Sequence, residues 1–430
     1  MDRIWKRRIV GSVALALWVL SAGDLGAQTT PETDAQAARE EIAKLRAEFD
    51  AMRQQYEARL AQLEARLARS ETSETAPAAA TAPPPTTDVP AGAAGAGGPS
   101  GALPVYGTAG SKVFNPDVAV IGDFLGAAGA NAIDGITPLE MHEAEASFQA
   151  VVDPYARADF FLAFTPEGVE IEEGFLTLTS LPGNLLMKVG KLRGAFGKVN
   201  TTHNHTLAWV DRPQVTRNLV GGEEGIADSG VSVSRLLYNP WFFLEATGEV
   251  YRGESSVFRT HAASNLTYVG RLRGYRDITE GSNLDVGTSV AVGHNAYGTD
   301  TTTRLVGIDA TFRYRPLRRA IYKRLQARTE LVWSRAEQPL ATTAAFGMYA
   351  GVEYQFARRW FLGGRYDHSE RAIDASLVDK GASAVLTFWP SEFSQVRGQY
   401  RRTTYAERVA ANEVLFQFLF SIGAHGAHVF

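Results

Sequence analysis

The stretch Phe346-Gly347-Met348-Tyr349-Ala350-Gly351-Val352-Glu353-Tyr354-Gln355-Phe356 decides how this chain folds. Phe346, Met348, Ala350, Val352, Tyr354 and Phe356 share one parity, while Gly347, Tyr349, Gly351, Glu353 and Gln355 hold the other. A period of two sustained this long describes a strand with one apolar face. Strands in soluble proteins average about 5–6 residues, whereas a tilted strand that crosses a bilayer needs about 9–11. The same alternation recurs in Ala156, Ala158, Phe160, Leu162 and Phe164 against Arg157 and Asp159. It returns in Phe242, Leu244, Ala246, Gly248 and Val250 against Glu245, Thr247 and Glu249.

Working outward, about sixteen such segments run from Val118 to Ile422. Their cores begin near Val118, Glu143, Tyr155, Val169, Leu185, Gly230, Trp241, Ser264, Leu284, Thr303, Leu325, Phe346, Trp360, Lys380, Ser394 and Asn412. With Val118 starting in the periplasm, turns on that side fall at 153–154, 181–184, 238–240, 280–283, 316–324, 357–359 and 390–393, nearly all tight. The opposite connections are mostly longer, 194–229 above all. That asymmetry and the even strand number predict an all-β fold, a transmembrane antiparallel β-barrel of about sixteen strands. Closure removes the unpaired strand edges that hydrocarbon penalises by several kcal/mol per backbone group. Phe416, Phe418, Phe420 and Ile422, with the terminal Phe430, resemble the aromatic-ended last strand of outer-membrane proteins.

Composition narrows the function. Lys plus Arg number 43 against 47 Asp plus Glu, a formal charge of −4, which removes the electrostatic case for nucleic-acid binding. With no cysteine, disulfide scaffolds, cysteine-ligated metals and thiol nucleophiles are excluded. A mean hydropathy of −0.14 and a single apolar run, at the N-terminus, exclude a helical membrane protein. Residues 1–27 read as a signal peptide: Arg3, Lys6, Arg7 and Arg8 precede the apolar Ile9 to Leu20, which is shorter than the roughly 20 residues of a spanning helix. In 36–70, Ile42, Leu45, Phe49, Met52 and Tyr56 form a heptad seam. Leu60, Leu63 and Leu67 continue it after a stutter, giving an α-helical periplasmic coiled coil. Residues 71–112, rich in Pro, Ala and Gly, form a flexible linker. This division leaves 113–430 for the barrel.

Familiar chemistries fail on spacing. Gly190 to Lys198 has neither the spacing nor the strand-loop-helix context of a phosphate loop, and Val199 stands where Ser or Thr is needed. No Gly-x-Ser-x-Gly elbow occurs, and Ser232 and Ser234 have no His and acid nearby in sequence. His203 with His205, and His425 with His428, are pairs without the further ligands a metal needs, so they read as polar loop and end residues. Neither catalytic residue nor cofactor nor metal is assigned.

Lys188-Val-Gly-Lys-Leu-Arg-Gly-Ala-Phe-Gly197 resembles the segment after the fifth strand of the phosphate-selective porin family, and Trp209-Val-Asp-Arg212 is similar to its aromatic-acid-Arg stretch. The resemblance implies an outer-membrane barrel of about sixteen strands, a homotrimer, with an N-terminal coiled coil in some members. It also implies a loop after strand five that folds inward as a constriction. Here that loop carries Lys198, His203, His205, Asp211, Arg212, Arg217, Glu223 and Glu224. No dense ladder of Lys and Arg accompanies it, so phosphate selectivity does not carry over. Strand parity places Arg157, Arg271, Arg273, Arg313, Arg328, Arg365, Arg397 and Arg401 on the lumen side, with Glu245, Glu249, Asp309, Glu330, Glu353 and Asp367. Mixed charge with a slight basic excess predicts a passive porin for small hydrophilic solutes or ions, weakly preferring anions. Its surroundings would be outer-membrane lipid, with the N-terminal segment in the periplasm. The competing readings are an outer-membrane enzyme of phospholipase type and a structural barrel whose helix contacts peptidoglycan.

Overall fold

The computed structural model describes residues 116–134 and 137–423. The expected leader, coiled coil and linker, with His425, His428 and Phe430, lie outside the described residues. Sixteen strands follow one another: β1 (Asp117–Ala130), β2 (Leu139–Asp153), β3 (Ala156–Thr165), β4 (Gly168–Leu181), β5 (Leu185–Arg193), β6 (Ala227–Leu237), β7 (Phe243–Tyr251) and β8 (Thr267–Thr279), then β9 (Ser282–His294), β10 (Thr302–Tyr314), β11 (Arg324–Gln338), β12 (Ala341–Ala357), β13 (Trp360–Glu370), β14 (Val378–Ser391), β15 (Ser394–Thr404) and β16 (Ala410–Gly423). Each pairs antiparallel with its neighbours in sequence, and β1 pairs with β16 from Ala119 opposite Gly423 to Ala130 opposite Asn412, closing the barrel. The expected segments correspond to these strands one for one. The largest offset is at β12, which begins at Ala341 rather than Phe346.

Side-chain parity holds around the wall. On β12, Val352, Tyr354 and Phe356 are exposed on the outside, whereas Tyr349 and Gln355 are buried inside. Phe160, Val290, Leu362, Leu386, Val414 and Phe416 continue the outer apolar surface. Water would oppose so large an uncovered apolar girdle, and hydrocarbon accepts it.

The turns joining β2–β3, β4–β5, β8–β9, β12–β13 and β14–β15 are tight, as expected. The opposite end departs from expectation at β3–β4 and β11–β12, where two-residue turns replace longer loops. Two register shifts matter later. Asp123 pairs with Glu143 but Phe124 with Met141, so His142 is an extra residue in β2. Phe161 pairs with Glu173 but Leu162 with Ile171, so Glu172 is an extra residue in β4. Such bulges re-aim the side chains around them.

The membrane-facing assignment makes a prediction. Val290→Arg, central on β9 and outward, should destabilise the barrel in lipid or detergent by about 2–4 kcal/mol, read from its guanidinium unfolding midpoint. An unchanged midpoint would mean this face does not meet hydrocarbon.

Candidate functional site

Residues 194–226 join β5 to β6 and pack inside the barrel, with a short helix α1 (Gln214–Leu219) against β11 to β14. The loop carries its own apolar side chains inward. Phe196, Val199, Leu207, Trp209, Val215, Leu219, Val220 and Ile226 form one buried cluster with wall residues including Phe161, Phe175, Tyr251, Val269, Leu305 and Tyr349. The wall makes room by omitting side chains. A Cβ on Gly351 would stand 2.4 Å from the Trp209 ring, and one on Gly347 2.7 Å from Val215. Trp209 packs edge-on against Tyr349, with the Arg365 guanidinium 5.0 Å above its ring.

Polar contacts fix where the loop sits. Asn200 ties its two ends together, donating to the carbonyls of Gly194 (2.8 Å) and Ile226 (3.0 Å) and accepting from the Ile226 N–H. Arg212, almost completely buried, donates to Asn204 Oδ1 and to the carbonyls of Val199 and Thr202, holding the turn from within. On the wall, Glu249 accepts from Ala195 N–H, and Glu330 accepts from Lys198 and Val199 N–H at 2.6 Å. Arg271 donates to the Gly197 carbonyl and pairs with Asp309 at 2.8 Å. Asp211 is the anchor on the far side, accepting from Arg365 (2.8 Å), Arg401 (3.0 Å) and Gln399. Burial opposes the charge on Asp211, but the two guanidinium groups outweigh it and hold its carboxyl below the usual range. Arg401 also pairs with Glu413, Arg397 donates to the Trp209 carbonyl, and Arg217 pairs with Asp134.

The expected residues therefore divide into two groups. Glu249, Arg271, Asp309, Glu330, Arg365, Arg397 and Arg401 face inward as strand parity required, but they are occupied beneath the loop. Arg157, Glu245, Arg273, Arg313, Arg328 and Glu353 are half-buried and lie between the loop and the short-turn end. Arg273 pairs with Asp285 at 2.7 Å, and Arg313 stands 3.8 Å from the same carboxylate. Lys198 joins this group: burial, then Arg273, Arg313 and Arg271, lower its ammonium to about 8, against the pull of Asp285. Glu223 and Glu224 are exposed at the loop's return, where they help line a cavity of about 840 Å3.

The structure also gathers residues that were not singled out. Glu143, Glu145, Glu172 and Glu173 meet His203 and His205 on the β2–β4 wall. His203 Nδ1 lies 2.7 Å from both Glu145 Oε2 and Glu172 Oε2, and its Nε2 lies 2.9 Å from Glu173 Oε2. Burial alone would lower His203, but these carboxylates raise its imidazolium well above the ordinary histidine value. The one signal in sequence was two glutamates at i and i+2 in the second expected strand, Glu143 and Glu145. That they meet the loop histidines depends on the loop's path.

No family model matches this chain. An uncharacterized protein of Aquifex aeolicus (strain VF5) is 30% identical over 342 residues, spanning 67% of this chain and 70% of that protein. The chain belongs to that protein's family. Solved structures with the same fold include the anion-selective porin from Comamonas acidovorans (TM-score 0.51, 11% identity, 72% of this chain and 100% of that one). The outer-membrane channel DcaP of Acinetobacter baumannii is another (0.50, 12%, 72% and 96%). A third is a loop L8 deletion mutant of the Vibrio cholerae outer-membrane protein OmpT (0.50, 10%, 72% and 100%). At such identities the likeness is one of fold: a closed outer-membrane-type barrel.

Two substitutions test how the loop is held. Asp211→Ala takes one of two carboxylates from each of two buried guanidinium groups, leaving Arg365 on Asp367 and Arg401 on Glu413, and should cost about 1–3 kcal/mol in unfolding free energy, whereas loss of less than about 0.5 kcal/mol would mean the loop is not anchored there. Gly351→Val should expel Trp209 from its socket, shifting indole emission to longer wavelength in a variant that keeps the other tryptophans. An unshifted spectrum would contradict the close approach.

Proposed function

We propose that the chain forms a passive, water-filled channel in the bacterial outer membrane for small hydrophilic solutes or ions, with a weak preference for anions. The observation that carries this reading is a closed sixteen-strand wall, apolar outside and charged inside, narrowed by an inward loop. Half-buried inner side chains toward the short-turn end include Arg157, Arg273, Arg313 and Arg328 against Glu245 and Glu353. That basic excess supports anion preference, as does the fold shared with a porin described as anion-selective. Across the barrel from Arg273, Arg313 and Arg328, β1 to β4 carry Asp123, Glu143, Glu145, Asp159, Glu172 and Glu173, which favours a transverse field through the lumen.

The Lys188–Gly197 segment leads directly into the inward loop, which supports the relation to phosphate-selective porins and, through it, a homotrimer. We take 1–27 as the export signal, 36–70 as a periplasmic coiled coil and 71–112 as its tether, with the barrel in outer-membrane lipid. The loop residues Lys198, His203, His205, Asp211, Arg212 and Arg217 form the constriction in this reading, and Glu223 and Glu224 its outer rim.

Planar-bilayer recording of the purified protein should show discrete conductance steps and a reversal potential of weakly anion-selective sign. A barrel that inserts without conducting would overturn the channel and favour the tethering role. Because the Lys198 ammonium titrates near 8, its charge is present below that pH and lost above it. Anion selectivity should therefore decline between pH 7 and pH 9, and Lys198→Gln should abolish the decline. An identical pH profile in that variant would remove Lys198 from the permeation path.

A further inference from the structure

The cluster where the loop meets β2 and β4 crowds carboxylate oxygens around one imidazole. One ring nitrogen, His203 Nδ1, faces two carboxylate oxygens at the same 2.7 Å, Glu145 Oε2 and Glu172 Oε2. A single N–H satisfies one acceptor well. The opposite nitrogen is engaged by Glu173 at 2.9 Å, the arrangement that orients a ligating imidazole when its other nitrogen binds a metal. The carboxylates are themselves held: Arg193 donates to Glu172 through its guanidinium and to Glu173 through its backbone N–H.

Glu143 gives the independent sign. Its side chain is 6% exposed, its Oε1 makes no hydrogen bond, and that oxygen points toward His205 Nδ1 at 3.9 Å. A carboxylate buried without a donor either holds a proton or is completed by a cation. Glu143, Glu145 and His205 bring ligand atoms within 4.8 Å of one another, as do Glu145, Glu172 and His203, with Glu145 common to both. Both bulges fall here, at His142 beside Glu143 and at Glu172 itself. The second lets adjacent residues Glu172 and Glu173 both approach His203, which a regular strand forbids.

We propose that this cluster binds a divalent first-row transition-metal ion through Glu143, Glu145, Glu172, His203 and His205, fastening the first half of the loop to the wall. Two imidazoles with carboxylates suit zinc, manganese, iron or nickel, whereas calcium and magnesium take oxygen ligands. Bonds of about 2.0–2.2 Å set neighbouring ligand atoms of a five-coordinate ion about 3.0 Å or more apart. The ion thus opens the 2.7 Å contacts by a few tenths of an ångström and replaces the shared proton. The ligand side chains are buried or nearly so, so the ion is a fastening rather than cargo, and its binding is independent of whether the barrel conducts.

The test uses the full chain without a histidine tag, stripped with EDTA, with His425→Ala and His428→Ala introduced to remove a competing terminal pair. Titration calorimetry with Zn2+ should show saturable binding that Mg2+ does not reproduce, and Zn2+ should raise the thermal midpoint. His203→Ala with His205→Ala should weaken Zn2+ binding at least tenfold, and His261→Ala, in the β7–β8 connection, should leave it intact. If the double variant fails to insert, X-ray absorption at the zinc edge of the parent protein decides: mixed imidazole and carboxylate ligation supports the site. No saturable Zn2+ binding, undiminished binding in the folded double variant, or a zinc edge without imidazole would overturn it.

Discussion

A closed sheet of sixteen strands encloses more space than its inward side chains can fill, and that surplus governs this structure. Hydrocarbon outside forbids an open edge, so the wall cannot collapse to a smaller circumference. Whatever narrows the interior must come from elsewhere in the chain, and residues 194–226 supply it. Apolar burial provides most of the attraction, since each buried Leu, Phe or Val contributes about 1.5–3 kcal/mol. The ion pairs decide placement: a buried pair is close to neutral overall, but one left half-made costs several kcal/mol. Asp211 between Arg365 and Arg401 therefore selects one loop position out of many that would bury similar area.

The barrel was legible in the sequence because side-chain direction in a strand has a strict period of two, and opposite solvents on the two faces write that period into residue type. Strand number, order and inner face all follow from it. The inward loop was legible as a long connection after the fifth strand and through the resemblance carried by 188–197, but not in its contacts. Its contacts were hidden because hydrogen bonds between Val210 and Gln399, or between Gln214 and Asp367, span more than 150 residues and follow no period. The same limit explains why Glu330 and Arg271 read as pore lining when their side chains hold loop backbone. Gly347 and Gly351 read as the polar parity of β12, whereas the physical reason for glycine there is the approach of Val215 and Trp209. His203 and His205 read as an incomplete pair because their partners lie on strands thirty to sixty residues earlier.

The charged interior thus serves two purposes that sequence alone merges. Arginines and carboxylates beneath the loop are consumed in fixing it. Those toward the short-turn end, with Lys198 among them, remain half-exposed and set the field a solute would meet. On the opposite wall, the glutamates of β2 and β4 grip the first half of the loop through its histidines. The loop is therefore held from both sides, by carboxylates against imidazoles on one and by guanidinium groups against a carboxylate on the other.

The central claim is that this loop is packed against the inner wall at one fixed place. The chain has no cysteine, so Val215→Cys with Gly347→Cys gives a clean probe where a Cβ on residue 347 would touch the Val215 side chain. Mass spectrometry of the folded protein under mild oxidation should show a near-quantitative intrachain disulfide between these positions. Two free thiols that react rapidly with a water-soluble maleimide would contradict the account.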